Sequence, residues 1–168
     1  GRTPMTVWPG RVPQGTRPKP ADTLTYRSQT TASFVHVSLD AIKDQNVPAN
    51  SADASNSQLD FWPHNGTTEW VQFEWPELQE LSSAKLYWFD DSPAGGCSVP
   101  ASWRVLYKTA SGDFQQVKNR GPFEVEKDRF NQVEFEPVKS TTLKIEIQLQ
   151  TGRSAGIQEV VIGVPEKS

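Results

Sequence analysis

The chain is expected to be all-β, an antiparallel sandwich, and three observations predict it. Short runs of β-branched and aromatic residues alternate with a period of two, which sends every second side chain to the same face. Clusters of Gly, Pro, Asn, Asp and Ser separate those runs as turn signals. No stretch of the 168 residues carries the 3.6-residue apolar period of an amphipathic helix, and there is no internal repeat or low-complexity tract. Many short strands divided by turns are the pattern of packed antiparallel sheets.

Residues 1–20 are rich in Pro, Gly, Arg and Thr and lack any period. They read as a linker or wrapping arm, with Trp8 as its one anchor, at the start of a piece of a larger polypeptide. The division expected is an arm over residues 1–30 and one domain over residues 31–166. Two short strands are predicted around Leu24–Arg27 and Phe34–Ser38. A polar loop follows, in which Asp40, Asp44, Asn46, Asn50, Ser51 and Asp53 offer many oxygens. FWPHNG then makes a tight aromatic corner closed by the Asn65–Gly66 turn pair.

The stretch from Thr67 to Lys108 organises the rest. Glu69–Trp75 alternates, with Val71, Phe73 and Trp75 on one face. Ala84–Phe89 is an apolar, aromatic-rich strand, and Ser102–Tyr107 alternates again. PELQELSS between the first two reads as an ordinary polar link. The connection from Asp90 to Pro100 holds two acids, two prolines, two glycines and the only cysteine. A loop of that length between strands is a candidate binding loop. GDFQQV, Phe123–Val125 and Asn131–Phe135 follow as short strands. Leu143–Gln150 is the cleanest alternation, with Leu143, Ile145, Ile147 and Leu149 on one face, and TGRSAG leads into the last strand, IQEVVIGV.

Composition narrows the function. A net charge of −3 with no basic stripe argues against a nucleic-acid surface. No apolar run approaches a membrane span, and no charged-then-apolar leader opens the chain. One cysteine excludes an internal disulfide and a cysteine-based zinc site. Neither His36 nor His64 lies in a nucleophile motif, and there is no G-x-S-x-G, H-E-x-x-H or glycine-rich phosphate loop. Asp90 and Asp91 are adjacent at a strand end and point apart, whereas a glycosidase needs two carboxyls facing across about 5–9 Å. Among the tryptophans, Trp70, Trp75, Trp88 and Trp103 fall in strand patterns and are expected in the core. Trp62 sits in a loop beside Phe61, Pro63 and His64, where an indole can either fill the core or stack on the apolar face of a sugar ring.

The order of these segments resembles a known family. KDQN, FWPH, TTEWVQFEW, YWFDD, GGCSVPASWRVLYK, LKIEIQLQ and GIQEVVIGV together resemble the galactose-binding-like β-sandwich, also called the discoidin or coagulation-factor type C domain. The similarity covers about Thr31 to Val164. It is nearest to the accessory domains of bacterial glycoside hydrolases, including β-L-arabinofuranosidases. The resemblance implies a jelly roll of eight strands, often with a structural calcium. It assigns the calcium to Asp44 and Glu159 and to the carbonyls of Ala41, Asn46 and Gln158. Gln45 stands where the family has a glycine, which alone adopts the left-handed backbone freely.

For sugar, the resemblance points to loops at one end of the sandwich, here Phe61–Gly66, Asp90–Pro100 and Thr151–Gly156. Trp62 would stack, Asp90, Asp91 and Arg153 would bond hydroxyls, and His64 would contribute at the rim. The function implied is a non-catalytic carbohydrate-binding module, monomeric and exported to the periplasm or outside the cell. Its partners would be a plant cell-wall oligosaccharide or polysaccharide and a catalytic domain of the same polypeptide. The alternatives are a structural domain that packs on that neighbour without binding glycan, or a small hydrolase.

Overall fold

The computed structural model describes residues 23–55 and 57–165. In chain order they form a helical turn α1 (Leu24–Arg27), β1 (Gln29–Ala32), a 3₁₀ turn (Asp40–Lys43), β2 (Leu59–Asp60), β3 (Thr68–Phe89), β4 (Ser102–Lys108), β5 (Phe114–Gln116), β6 (Phe130–Gln148) and β7 (Gly156–Gly163). The protein is an antiparallel β-sandwich, as expected. Its strands run β2-β7-β3-β6-β4-β5, with β1 on the free flank of β3.

Two long strands build both layers. The first half of β3 pairs with β1 and with the last half of β6, from Thr68↔Gln148 to Glu74↔Thr142. Its second half pairs with the start of β6 and with β7, as in Ala84↔Val133 and Ala84↔Ile162. Between them the register shifts at Glu74/Gln79 and at Leu81/Ser83. Such irregularities bend a strand and sharpen its twist, so the sheet folds over on itself there. Val71, Phe73, Leu143, Ile145 and Ile147 of one half then meet Leu86, Trp88, Val133 and Val160 of the other in one core.

The alternation assigned to Val71, Phe73 and Trp75, and to Leu143, Ile145, Ile147 and Leu149, is the burial the fold adopts. Four local expectations change. PELQELSS is no polar link but part of β3, because Leu81 enters the core at the corner and holds the strand continuous. Leu24–Arg27 is a helical turn rather than a strand. Thr23 Oγ1 accepts from the Tyr26 N–H at 3.2 Å, which caps its free donors. The strand beside it is Gln29–Ala32, and Phe34–Ser38 is loop. Phe123–Val125 is also loop, since its Glu124 carbonyl is taken by the indole N–H groups of Trp103 at 2.7 Å and Trp88 at 3.4 Å instead of by a ladder.

The stretch from Thr23 packs on the sandwich. Trp75 Nε1 donates to the Leu24 carbonyl at 2.8 Å, and the Ile162 N–H donates to Thr25 Oγ1 at 3.1 Å. Trp75, Trp88 and Trp103 are core residues, but Trp70 is not. It lies half-buried on the outer face of the sheet, with Lys144 Nζ 5.1 Å from its ring. The expected arm, with Trp8, lies outside the described residues. Among the described residues no helix is long and apolar enough to cross a membrane.

Candidate functional site

One end of the sandwich gathers loops from four parts of the chain. The pairing of β2 with the start of β7, Leu59↔Ile157 and Asp60↔Gly156, fixes the aromatic corner. The segment leading into β7 then captures the Asp90–Pro100 loop. Ser154 donates to the Gly96 carbonyl at 2.9 Å and accepts from the Ser98 N–H at 3.0 Å, flanking a parallel bridge to Cys97. His36 and Ser38 hang their N–H groups on the Asp60 and Gln58 carbonyls. Between these loops opens a recess of about 230 Å³ lined by His36, Gln58, Asp60, Trp62, Phe89, Asp91, Gly96 and Cys97. It is smaller than the roughly 300–1,000 Å³ of clefts that engulf whole ligands, and suits part of one.

Trp62 is the platform of this recess. Its side chain is 43% exposed, and the ring lies directly against Gly96, where a Cβ would overlap the indole. Behind it Asp60 is buried and fully engaged. Its Oδ1 accepts from the Trp62 N–H at 3.1 Å and from His36 Nδ1 at 2.8 Å, and its Oδ2 accepts from Gln58 Nε2 at 3.0 Å. A carboxylate only accepts, so His36 carries its proton on Nδ1, and in the neutral ring Nε2 is left as an acceptor. The His36 side chain is 45% exposed, so that nitrogen is open to a ligand.

Asp90 and Asp91 diverge, as adjacent strand-end residues must. Asp91 turns to the recess, where Oδ1 accepts from the Cys97 N–H at 2.9 Å and Oδ2 has no hydrogen-bond partner among the described residues. Its carboxylate packs on Gly95, which has no room for a Cβ. Asp90 turns inward. Its Oδ1 accepts from the Ser92 N–H and hydroxyl, Oδ2 from the Val99 N–H at 2.9 Å, and Lys127 Nζ stands 3.5 Å away. Burial pushes the carboxyl up, but these hydrogen bonds and the Lys127 charge outweigh it and hold Asp90 below the ordinary carboxylate range. A buried group so occupied folds the loop and does not line the recess, which departs from the placement expected of it.

Two more expected contacts are also part of the scaffold. Arg153 spends Nε on Ser98 Oγ at 2.9 Å and Nη2 on the Gly95 carbonyl at 2.7 Å, clamping the loop rather than facing the recess. His64 bonds Glu69 Oε2 at 3.0 Å and stacks on Phe34 with ring centroids 4.0 Å apart. It lines the outside of the aromatic corner. Of the five residues expected to meet sugar, Trp62 and Asp91 line the recess. Sequence reading missed His36, Gln58 and Asp60. The available signal was the acid two residues ahead of the exposed tryptophan in LDFWPH, an Asx-type partner for the corner's backbone.

The residues assigned to calcium also converge. The 3₁₀ turn and its exit bring Asp44 to Glu159 of β7. Gln158 lies where the β7 register shifts past Tyr87/Trp88, between the pairs Tyr87↔Glu159 and Trp88↔Ile157. Glu159 is 2% exposed, and its Oε2 accepts from the Gln45 N–H at 3.1 Å while Oε1 has no partner among the described residues. Burial and then the negative charge of Asp44 push its carboxyl up to about 9. A buried acid with an orphaned oxygen, facing the half-buried Asp44, fits a hard cation that binds oxygen. No group of three or more His, Cys, Asp or Glu side chains gathers among the described residues, so a cation here would need backbone carbonyls as well. Gln45 holds φ +64°, the left-handed conformation that the resemblance gives to glycine.

Among the described residues a hollow of about 260 Å³ lies against Thr68, Arg104, Glu146 and the buried Trp103, and two others reach about 390 Å³ each. One is lined by Ser82, Ser83, Arg120, Gln132, Glu134, Pro137, Val164 and Pro165, the other by Arg27, Gln29, Glu74, Trp75 and Pro76. Neither presents an exposed aromatic ring, because Trp75 is buried.

No protein-family model matches the chain. Solved structures share its fold at low identity. A structure from the Streptococcus pneumoniae β-galactosidase BgaA superposes with a TM-score of 0.69 at 14% identity, over 84% of this chain and 99% of that one. The family 32 carbohydrate-binding module of Clostridium perfringens NanJ, in complex with galactose, gives 0.61 at 14%, over 83% and 95%. Chitosan-binding module 1 of a Paenibacillus chitosanase/glucanase gives 0.60 at 12%, over 85% and 99%. The fold is therefore that of galactose-binding-like sandwiches, as the sequence resemblance implied.

Proposed function

We propose that this domain is a non-catalytic carbohydrate-binding module, with the Trp62 recess as its sugar site. The observation that carries the reading is a tryptophan left 43% exposed on a rigid loop, with its flanking polar groups held in place by Asp60. An indole face offers apolar contact to the C–H face of a sugar ring, while His36 Nε2 and Asp91 Oδ2 receive its hydroxyl protons. Solved structures of this fold are modules bound to sugars, galactose in one and chitotriose in another. Among the described residues nothing in the recess pairs a free general acid with a facing carboxylate. Asp60 is consumed by its own loop, so the reading is binding rather than hydrolysis.

The resemblance supports the finer parts of this proposal. The module would belong to an exported, bacterial glycan-degrading enzyme, tethered as a monomeric unit to the catalytic domain and holding it on plant cell-wall polysaccharide. A shallow site binds weakly, and tethering supplies the retention. We also propose a structural calcium held by Asp44, Glu159 and the carbonyls of Ala41, Asn46 and Gln158. It would supply the positive charge that the half-buried Asp44 and the buried Glu159 lack and pin the loop after the 3₁₀ turn to β7.

The test is calorimetric titration with galactose, chitooligosaccharides and plant cell-wall oligosaccharides. Saturable binding is expected with at least one of them, weakened by at least tenfold in Trp62→Ala. That loss corresponds to roughly 1.4 kcal/mol, within what one stacked aromatic contributes. Binding untouched by Trp62→Ala would refute the site. Absence of binding to every glycan would favour the purely structural domain.

A further inference from the structure

The charge around the recess is lopsided. Two carboxylates line it, Asp60 at the back and Asp91 at the side, and among the described residues no lysine or arginine does. The cations nearby are committed elsewhere. Arg153 is bound to Ser98 Oγ and the Gly95 carbonyl, and Lys127 stands against the buried Asp90. Among the described lining residues the one imidazole, His36, has its Nδ1 turned to Asp60. Asp91 lines the recess, and its Oδ2, packed on Gly95, accepts no hydrogen bond from the described residues. The thiol of Cys97 registers the same field. Burial first, then the negative charges of Asp60 and Asp91, push it up to about 12 against smaller opposing effects of Ser154 and then Arg153.

We infer that the recess prefers a sugar carrying a free, protonated amino group over its N-acetylated or uronic counterpart. This rests on the recess being a sugar site and adds what that site selects. An ammonium on a ring stacked against Trp62 gives Asp91 Oδ2 a charged donor in place of a hydroxyl. Hydrogen bonds in which donor or acceptor is charged are roughly twice as strong as neutral ones. A uronate in the same place sets a third carboxylate beside two others with no cation to receive it, and like charges brought together cost affinity.

The experiment titrates the protein with the trimers of glucosamine, N-acetylglucosamine and galacturonic acid, at a pH where the amine is protonated and at physiological salt. Salt at that level screens the protein's net charge beyond about 8 Å and leaves contact effects in place. The glucosamine trimer is expected to bind about tenfold more tightly than the N-acetylated one, and the galacturonate trimer most weakly. In Asp91→Asn, which keeps the oxygen that accepts from Cys97, the ratio between the first two is expected to fall toward unity, and Trp62→Ala is expected to lose both. Equal binding of the two, or tighter binding of the N-acetylated or galacturonate trimer, overturns the inference and leaves the sugar site standing. So does a ratio unchanged in Asp91→Asn. No binding of any of the three trimers overturns the inference, and only if galactose and the plant oligosaccharides also fail to bind does the sugar site fall with it.

Discussion

Gly96 lies under the Trp62 ring and Gly95 under the Asp91 carboxylate, so the GG pair of the long loop serves contact rather than turning. Neither has a positive φ; what matters at both is the missing Cβ. Gln45 is the opposite case. It has a Cβ and still holds φ +64°, at a cost of the order of 1 kcal/mol for an L-residue in the left-handed region. Gln45→Gly removes that strain and keeps the N–H that reaches Glu159. It is expected to stabilise the protein by about 0.5–1 kcal/mol, seen as a higher melting temperature. A lower one would mean the glutamine side chain contributes more than its backbone costs.

The Asp90–Pro100 loop behaves as an element in its own right. Asp90 is its internal hub, Arg153 clamps it from outside, and the Cys97–Ser154 bridge anchors it to the lead-in of β7. Because the folded carboxyl of Asp90 lies below its unfolded value, the sign is fixed. Its stabilisation is fully present above the unfolded value near 3.9 and is lost as pH falls through the lower folded value. Asp90→Asn sets an amide against a site built from donors and is expected to cost roughly 1–3 kcal/mol at neutral pH. The difference from the native protein should shrink in acid, where the native carboxyl protonates too. Denaturant unfolding measured across that range checks it. A constant difference would mean that Asp90 matters by shape and not by charge.

At the scale of the whole molecule, β3 and β6 carry both layers, and β7 joins three functions along its length. Its lead-in binds the long loop, Gly156 and Ile157 hold β2 and the aromatic corner, and Glu159 meets Asp44. The proposed cation site and the sugar recess are therefore linked through one strand without sharing a ligand. Removing calcium with a chelator is expected to lower the melting temperature, and restoring it to reverse the loss, since a ligand bound only by the folded state stabilises it by mass action. Sugar affinity should change far less than stability. An unchanged transition would speak against the cation.

What the sequence determined by itself was whatever depends on neighbours a few residues apart. Period-two alternation is local, so the all-β class, the buried faces of β3 and β6, and the place of Trp62 outside any strand were all legible, while its exposure was not. The opposed directions of Asp90 and Asp91 were legible for the same reason. Local pattern misled where a distant contact outweighed it. Leu81 kept β3 in one piece through a polar stretch, and the Leu24–Arg27 segment turned helical beneath Trp75 and Ile162. The recess itself came only from tertiary structure. His36 meets Asp60 across 24 positions, and Arg153 meets Ser98 across 55. Those meetings exist because β2 pairs with β7 and draws four loops to one end, and closure over such distances leaves no periodic trace in the chain.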